Sequence, residues 1–251
     1  PRHGVEYRRV EEHAHVAGAL WVDHYADLAR SGDDTQGYII TREQFASLMR
    51  RLGIAPGTTV VWYGDRHDSY AIRGLWTMDY YRHPAPVYLL DGGRERWLAE
   101  GRPTQSGEEH TAPAAYPVPA AVNTENHATW WQVRDAIGAP GKVILDVREP
   151  AEYDGTNVRA ARGGHIPGAV NIEWTTATAG DNVLKPLEEL RAMYAERGVT
   201  PDKEVIAHCQ LGMRAAHTWF VLKHVLGYPS VRNYDGSWAE WGNRDDLPVE
   251  K

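Results

Sequence analysis

Cys209 is the one cysteine of a 251-residue chain, and it lies in Glu204-Val-Ile-Ala-His-Cys209-Gln-Leu-Gly-Met-Arg214, ahead of a long apolar stretch from Ala215 to Leu226. Val205 to Ala207 reads as the end of a strand, and the stretch after Arg214 as a helix. A thiol at such a turn faces unpaired backbone N–H groups and the positive end of the helix dipole. Both favour the thiolate, whereas an ordinary cysteine, with a pKa near ~8.5, is mostly protonated at neutral pH. The chemistry this points to is nucleophilic attack by sulfur; the alternative is a buried, inert cysteine. Gln210, Leu211, Gly212 and Met213 form the loop around the thiol, and Gly212 admits backbone conformations that a side chain forbids.

Arginines supply the complementary charge. Arg214 closes the loop and could reach back to an anion at Cys209; otherwise it is a solvated helix residue. Arg148 follows a strand end, where its guanidinium suits a sulfonate or carboxylate, or pairs structurally with Glu149 or Glu152. Arg162 faces the same choice. Asp146 and Asp235 read as holders of loop backbone. His208 neighbours Cys209 on a strand, so its side chain is expected on the opposite face, away from the thiol. Trp238 is expected beside the site. Glu11-Glu-His13-Ala-His15 could suggest a metal, but His15 has a counterpart in His165, which favours a shared structural duty. No zinc-ligand spacing appears, and no metal or other cofactor is expected.

The elements that must place these residues come in two copies. Gly53-Ile-Ala-Pro-Gly-Thr-Thr-Val60 echoes Gly198-Val-Thr-Pro-Asp-Lys-Glu-Val205, and Val87 to Gly93 with Trp97 echoes Val231 to Ser237 with Trp241. Together with His15-Val-Ala-Gly-Ala-Leu20 against His165-Ile-Pro-Gly-Ala-Val170, this marks one duplication rather than a solenoid. The stretch between the copies is rich in Pro, Ala, Thr and Glu, so the expected division is 1–104, a linker at 105–122, and 123–251. Val143 to Asp146, Val205 to Ala207 and Val231 to Tyr234 look like buried parallel strands. Thr41 with Gln44 and Thr129 with Gln132 carry capping boxes, Pro186 suits a first helical position, and Gly198 a helix stop. The expectation is an α/β fold with helices on both faces of each mostly parallel sheet. In such sheets ligands bind beyond the carboxyl ends of the strands, here Asp146-Val-Arg148, the cysteine loop and Asp235-Gly-Ser-Trp238.

A net charge of −7 argues against a nucleic-acid partner, and no apolar run approaches membrane-spanning length. A lone cysteine fits a reducing compartment, so a cytoplasmic location is expected, while the opening Pro1 leaves a removed export signal open.

These residues resemble the rhodanese family in its tandem two-domain form. The resemblance rests on Leu145-Asp-Val-Arg148-Glu-Pro-Ala-Glu-Tyr153, Arg162-Gly-Gly-His-Ile-Pro-Gly-Ala169, the cysteine loop and Tyr234-Asp-Gly-Ser-Trp-Ala-Glu-Trp241, and it covers nearly the whole chain. It implies two rhodanese-like domains of which the second is catalytic. Gly64 stands where Cys209 has its counterpart, and Asp65 and Asp68 would repel an anion there. Nothing before His15 matches Val143 to Arg148, so the first copy is expected a strand short. The implied activity is transfer of sulfane sulfur from thiosulfate to cyanide or a thiol, with a protein thiol among the acceptors, through a persulfide on Cys209. The small anionic donor would meet Arg148, Arg162, Arg214, Trp238 and the loop 210–213. Gln210 and Met213 depart from the thiosulfate-type loop, which keeps 3-mercaptopyruvate as the alternative donor. A phosphatase or arsenate reductase would need a loop one residue longer before Arg214, and a non-catalytic sulfur carrier is the remaining alternative.

Overall fold

The computed structural model describes residues 14–30, 37–65, 69–179 and 183–251. Glu11, Glu12, His13 and Asp68 lie outside them, as do all but the last of the residues before His15, where an opening strand is missing from the sequence pattern. Among the described residues, the first half runs β1 (His15–Val16), α1 (Arg42–Arg51), β2 (Val60–Trp62), α2 (Ser69–Tyr80), β3 (Val87–Leu89), α3 (Gly93–Ala99) and β4 (Thr104–Gln105). The second half follows with β5 (His127–Ala128), α4 (Trp130–Arg134), β6 (Lys142–Asp146), α5 (Pro150–Tyr153), β7 (Val170–Asn171), α6 (Leu187–Glu196), β8 (Glu204–His208), α7 (Met213–Phe220), β9 (Val231–Tyr234) and α8 (Ser237–Trp241).

The second half holds a five-stranded parallel sheet in the order β5-β9-β8-β6-β7. Its central strands are apolar on both faces, as burial under helices on each side demands. Val143, Leu145, Val205 and Ala207 enter one core cluster, and the alternating Ile144 and Ile206 enter the other, with Tyr234, Trp238 and Trp241. The first cluster also holds Phe45, Ile72, Trp76 and Met78, so the two halves share one apolar interior. Their contact is made largely by α2 against α7, which occupy equivalent places in the repeat. In the first half β2 pairs in parallel with β3.

Local signals hold well. Thr41 caps α1, its Oγ1 accepting from the Gln44 N–H at 3.2 Å while Gln44 Oε1 accepts from the Thr41 N–H at 2.8 Å. Gly198 is left-handed (φ +74°) just past α6. Pro186 precedes that helix as its cap instead of opening it. The expected linker from 105 is structured at its start, because Gln105 pairs with His15 in the β1–β4 ribbon, and Tyr116 is buried against Phe45. No helix among the described residues is long and apolar enough to cross a membrane.

Candidate active site

Cys209 follows β8 directly, and Gly212 caps α7 in the left-handed conformation (φ +74°). A Cβ at residue 212 would lie 2.8 Å from the carbonyl oxygen and Oδ1 of Asp235, so glycine is required by space as well as by backbone. The loop carbonyls are tied outward. Cys209 O accepts from the Trp238 N–H at 2.9 Å, Gln210 O from the Ala239 N–H at 3.0 Å, and Gly212 O from Asn233 Nδ2 at 2.9 Å. In a trans peptide the N–H points opposite to the preceding carbonyl. The N–H groups of residues 210, 211 and 213 thereby point away from these anchors, as loop N–H groups do where they stabilise an anion. The Cys209 N–H itself donates to Ser237 Oγ at 3.1 Å, and that hydroxyl donates to Tyr234 O at 2.8 Å. Ser237 is held at φ +50°, a conformation costly for a residue with a side chain and kept here by those bonds.

Arg214 is held by Glu152, with Nη1–Oε2 2.6 Å and Nη2–Oε1 3.0 Å, and its charge interacts with the Cys209 thiol. Burial alone would raise the Glu152 carboxyl, but Arg214, with Arg159 and Arg148 beyond it, holds it below the usual range. Glu152 is thus a carboxylate that orients the loop-closing arginine. The sequence reading offered it to Arg148 instead. Arg148 in fact binds Asp146 (Nη2–Oδ2 2.6 Å, Nε–Oδ1 2.9 Å) and Gly164 O (2.8 Å), and lies 4.4 Å above the Trp238 ring. It is 1 % exposed, so the expectation that it meets the donor is corrected: a strand-end carboxylate this buried needs a cation beside it.

Arg162 is corrected in the same sense. Its guanidinium donates to the carbonyls of Leu247 (2.8 Å), Trp241 (3.0 Å) and Arg244, fastening the C-terminal segment. Trp238 adjoins the site through its backbone, while its indole is buried and donates to Arg162 O at 3.1 Å. Gln210 Nε2 donates to Arg159 O at 2.9 Å, Met213 is buried, and Leu211 is partly exposed. His208 turns away from the thiol as expected, with Nε2 3.5 Å from Asp146 Oδ2. Its burial drives its pKa down to about 4, against the pull of Asp146, so it is neutral near pH 7. Cys209, Gln210, Arg214, Glu152 and Arg159 are therefore brought together, and Arg148 and Arg162 support the walls.

The first half completes the site. Arg73 of α2 is fully buried and donates to Asp235 Oδ1 at 2.6 Å and to Gly37 O at 3.0 Å, with Gly212 O at 3.5 Å. Asp235 Oδ2 accepts from the Ile39 N–H at 2.6 Å. Asp235 does hold backbone, but that of the other half. Gly37 packs on Leu211: a Cβ there would come within 2.8 Å of Leu211 Cδ2. Sequence reasoning missed Arg73 and Gly37, gave Glu152 the wrong arginine, and assigned Ser237 no role; the repeat could have flagged only Ser237, which stands where the first copy has Gly93.

The rhodanese-like domain family matches residues 129–244, which hold the cysteine loop, Glu152, Arg159 and Ser237. A sulfur carrier protein, TtuD, from Thermus thermophilus is 40% identical over 251 residues, covering 94% of this chain and 85% of the relative. A thiosulfate sulfurtransferase from Corynebacterium glutamicum is 40% identical over 245 residues, covering 94% and 79%. The chain belongs to the rhodanese family of sulfurtransferases. Among solved structures, wild-type EanB superposes with a TM-score of 0.82 at 25% identity, and an anaerobic ergothioneine biosynthesis enzyme from Chlorobium limicola with 0.83 at 26%. The EanB match covers 95% of this rhodanese and about 60% of that chain.

Proposed function

We propose that this rhodanese transfers sulfane sulfur from thiosulfate through a persulfide on Cys209. The observation that carries the reading is the loop: one thiol, and a loop-closing arginine fixed by Glu152 whose charge acts on that thiol. The Cys209 thiolate attacks the outer sulfur of thiosulfate; the S–S bond breaks, and sulfite leaves with the electron pair. Cyanide or a thiolate then attacks the terminal sulfur of the persulfide and returns the thiolate. Charge balances in both steps. The loop N–H groups and Arg214 offset the negative charge that stays on sulfur throughout. 3-Mercaptopyruvate is the alternative donor. The first half is read as a rhodanese-like domain without a nucleophile, Gly64 standing at the position of Cys209. The likeness to a sulfur carrier supports a protein thiol as one acceptor. Exposure to thiosulfate, followed by intact mass spectrometry, is expected to add one sulfur atom, about 32 Da, removable by cyanide and absent in Cys209→Ser. A reduced, folded protein that never gains this mass refutes the mechanism.

A further inference from the structure

Four of the five arginines around the site are committed elsewhere: Arg214 to Glu152, Arg148 to Asp146, Arg73 to Asp235, and Arg162 to carbonyls of the C-terminal segment. Arg159 differs. Its side chain is 43 % exposed, and its ion pair is long, Nη1 lying 3.4 Å from Glu152 Oε1. Its backbone, by contrast, is fixed. Gln210 of the cysteine loop holds the Arg159 carbonyl at 2.9 Å, and the Asn157 N–H donates to Ala151 O at 2.7 Å. The neck of this segment closes glycine on glycine, a Cβ at Gly155 falling 2.7 Å from Gly164 N.

Charge arithmetic gives this residue a task. Arg214 and Glu152 cancel, which leaves the thiolate to meet a doubly negative donor. One further cation beside the loop, where the Gln210 bond holds Arg159, offsets that repulsion, and its effect scales with the donor's charge. We propose that Arg159 is the donor-recognition residue of this site, pairing with the anionic end of the sulfur donor and favouring dianions over monoanions. This rests on the sulfurtransferase reading above.

The test compares Arg159→Ala and Arg159→Lys with wild type, using thiosulfate and 3-mercaptopyruvate as donors and dithiothreitol as a neutral acceptor. For Arg159→Ala, kcat/KM for thiosulfate should fall about 10-fold, mainly through KM, and that for mercaptopyruvate about threefold. The constant for dithiothreitol should stay within about twofold, since a neutral acceptor gains nothing from the cation. Arg159→Lys should recover most of the thiosulfate loss, because a point charge suffices for steering. Equal losses for both donors and the acceptor would mark a structural role and overturn the inference, as would an unchanged thiosulfate constant. Wild-type protein that takes sulfur from neither donor overturns the sulfurtransferase reading itself, a result distinct from normal loading by both wild type and Arg159→Ala.

Discussion

The strand end at Gly64 and the strand end at Cys209 share a backbone and differ in what hangs on it. In the first half the Arg94 N–H donates to Gly64 O at 3.0 Å; in the second the Trp238 N–H donates to Cys209 O at 2.9 Å. Gly93 sits at φ +55° and Ser237 at φ +50°. Trp97 Nε1 bonds Pro103 O and Trp241 Nε1 bonds Pro248 O, both at 2.8 Å. The side chains diverge: the thiol becomes a hydrogen, the Ser237 hydroxyl disappears, and Asp65 is bound by Arg94 at 2.7 and 3.0 Å across the vacated position. The sheets diverge too. Val61 and Tyr88 are more than half exposed on the β2–β3 pair, whereas β8 is buried along nearly its whole length. A repeated backbone can thus keep its hydrogen-bond geometry while its side chains diverge, and the first copy keeps contacts that the second uses, chiefly those of Arg73 and Gly37.

The largest expected effect breaks that dependence. Arg73→Met leaves Asp235 buried without its cation and should destabilise the protein by about 3–5 kcal/mol in urea unfolding, with Asp235→Asn in the same background recovering part of the loss. A loss below about 1 kcal/mol would mean the halves do not rely on this pair. Next comes acid. The unfolded chain protonates His208 near pH 6.5, whereas the folded chain resists until about 4, so stability complete above 6.5 drains away as the pH falls through that window. Asp146, whose lowered carboxyl owes its state to His208 and Arg148 outweighing burial, adds its own loss further down, below the ordinary carboxylate range. Between pH 7 and 4.5 the His208 contribution should be about 2–3 kcal/mol, and His208→Asn should flatten the urea midpoint against pH across 6.5 to 4. An unaltered profile would exclude His208 as the source.

Ser237→Gly copies the first half onto the second. Relief of the left-handed conformation and loss of one hydrogen bond should nearly cancel in stability, within about 1 kcal/mol. Sulfur transfer should nonetheless fall about 10-fold as the Cys209 amide loses its anchor. Full activity in this variant would make the hydroxyl dispensable. The smallest effect is expected from the reverse graft: Gly64→Cys, in a Cys209→Ser background, should gain no sulfur from thiosulfate by mass spectrometry, because Ser69 stands where Arg214 closes the cysteine loop and Gly93 where Ser237 anchors it. A gain of about 32 Da would show that the backbone alone confers reactivity.

Strand ends are legible because short apolar runs bounded by turn residues have one economical reading, and the repeat fixed β8 against β2 before any coordinate. Cys209, Gln210 and Arg214 followed from that placement. Partner choice did not. Arg148 could reach Asp146, Glu149 or Glu152 by sequence distance, and only the direction of its side chain off the strand end decides. Glu152 pairs with Arg214 across 62 residues and Arg73 with Asp235 across 162, separations at which periodicity carries no signal.

Gly37 is a place in the first half that tolerates no side chain. Its missing side chain is the space in which Leu211 rests, with Leu211 Cβ only 2.9 Å from where a methyl group would stand. Any replacement pushes on the cysteine loop from 172 positions away in sequence (209 − 37). Such a variant would look like long-range communication in an activity screen, yet its origin would be plain steric contact. In the half without a cysteine, a residue with no side chain bears directly on the loop that carries one.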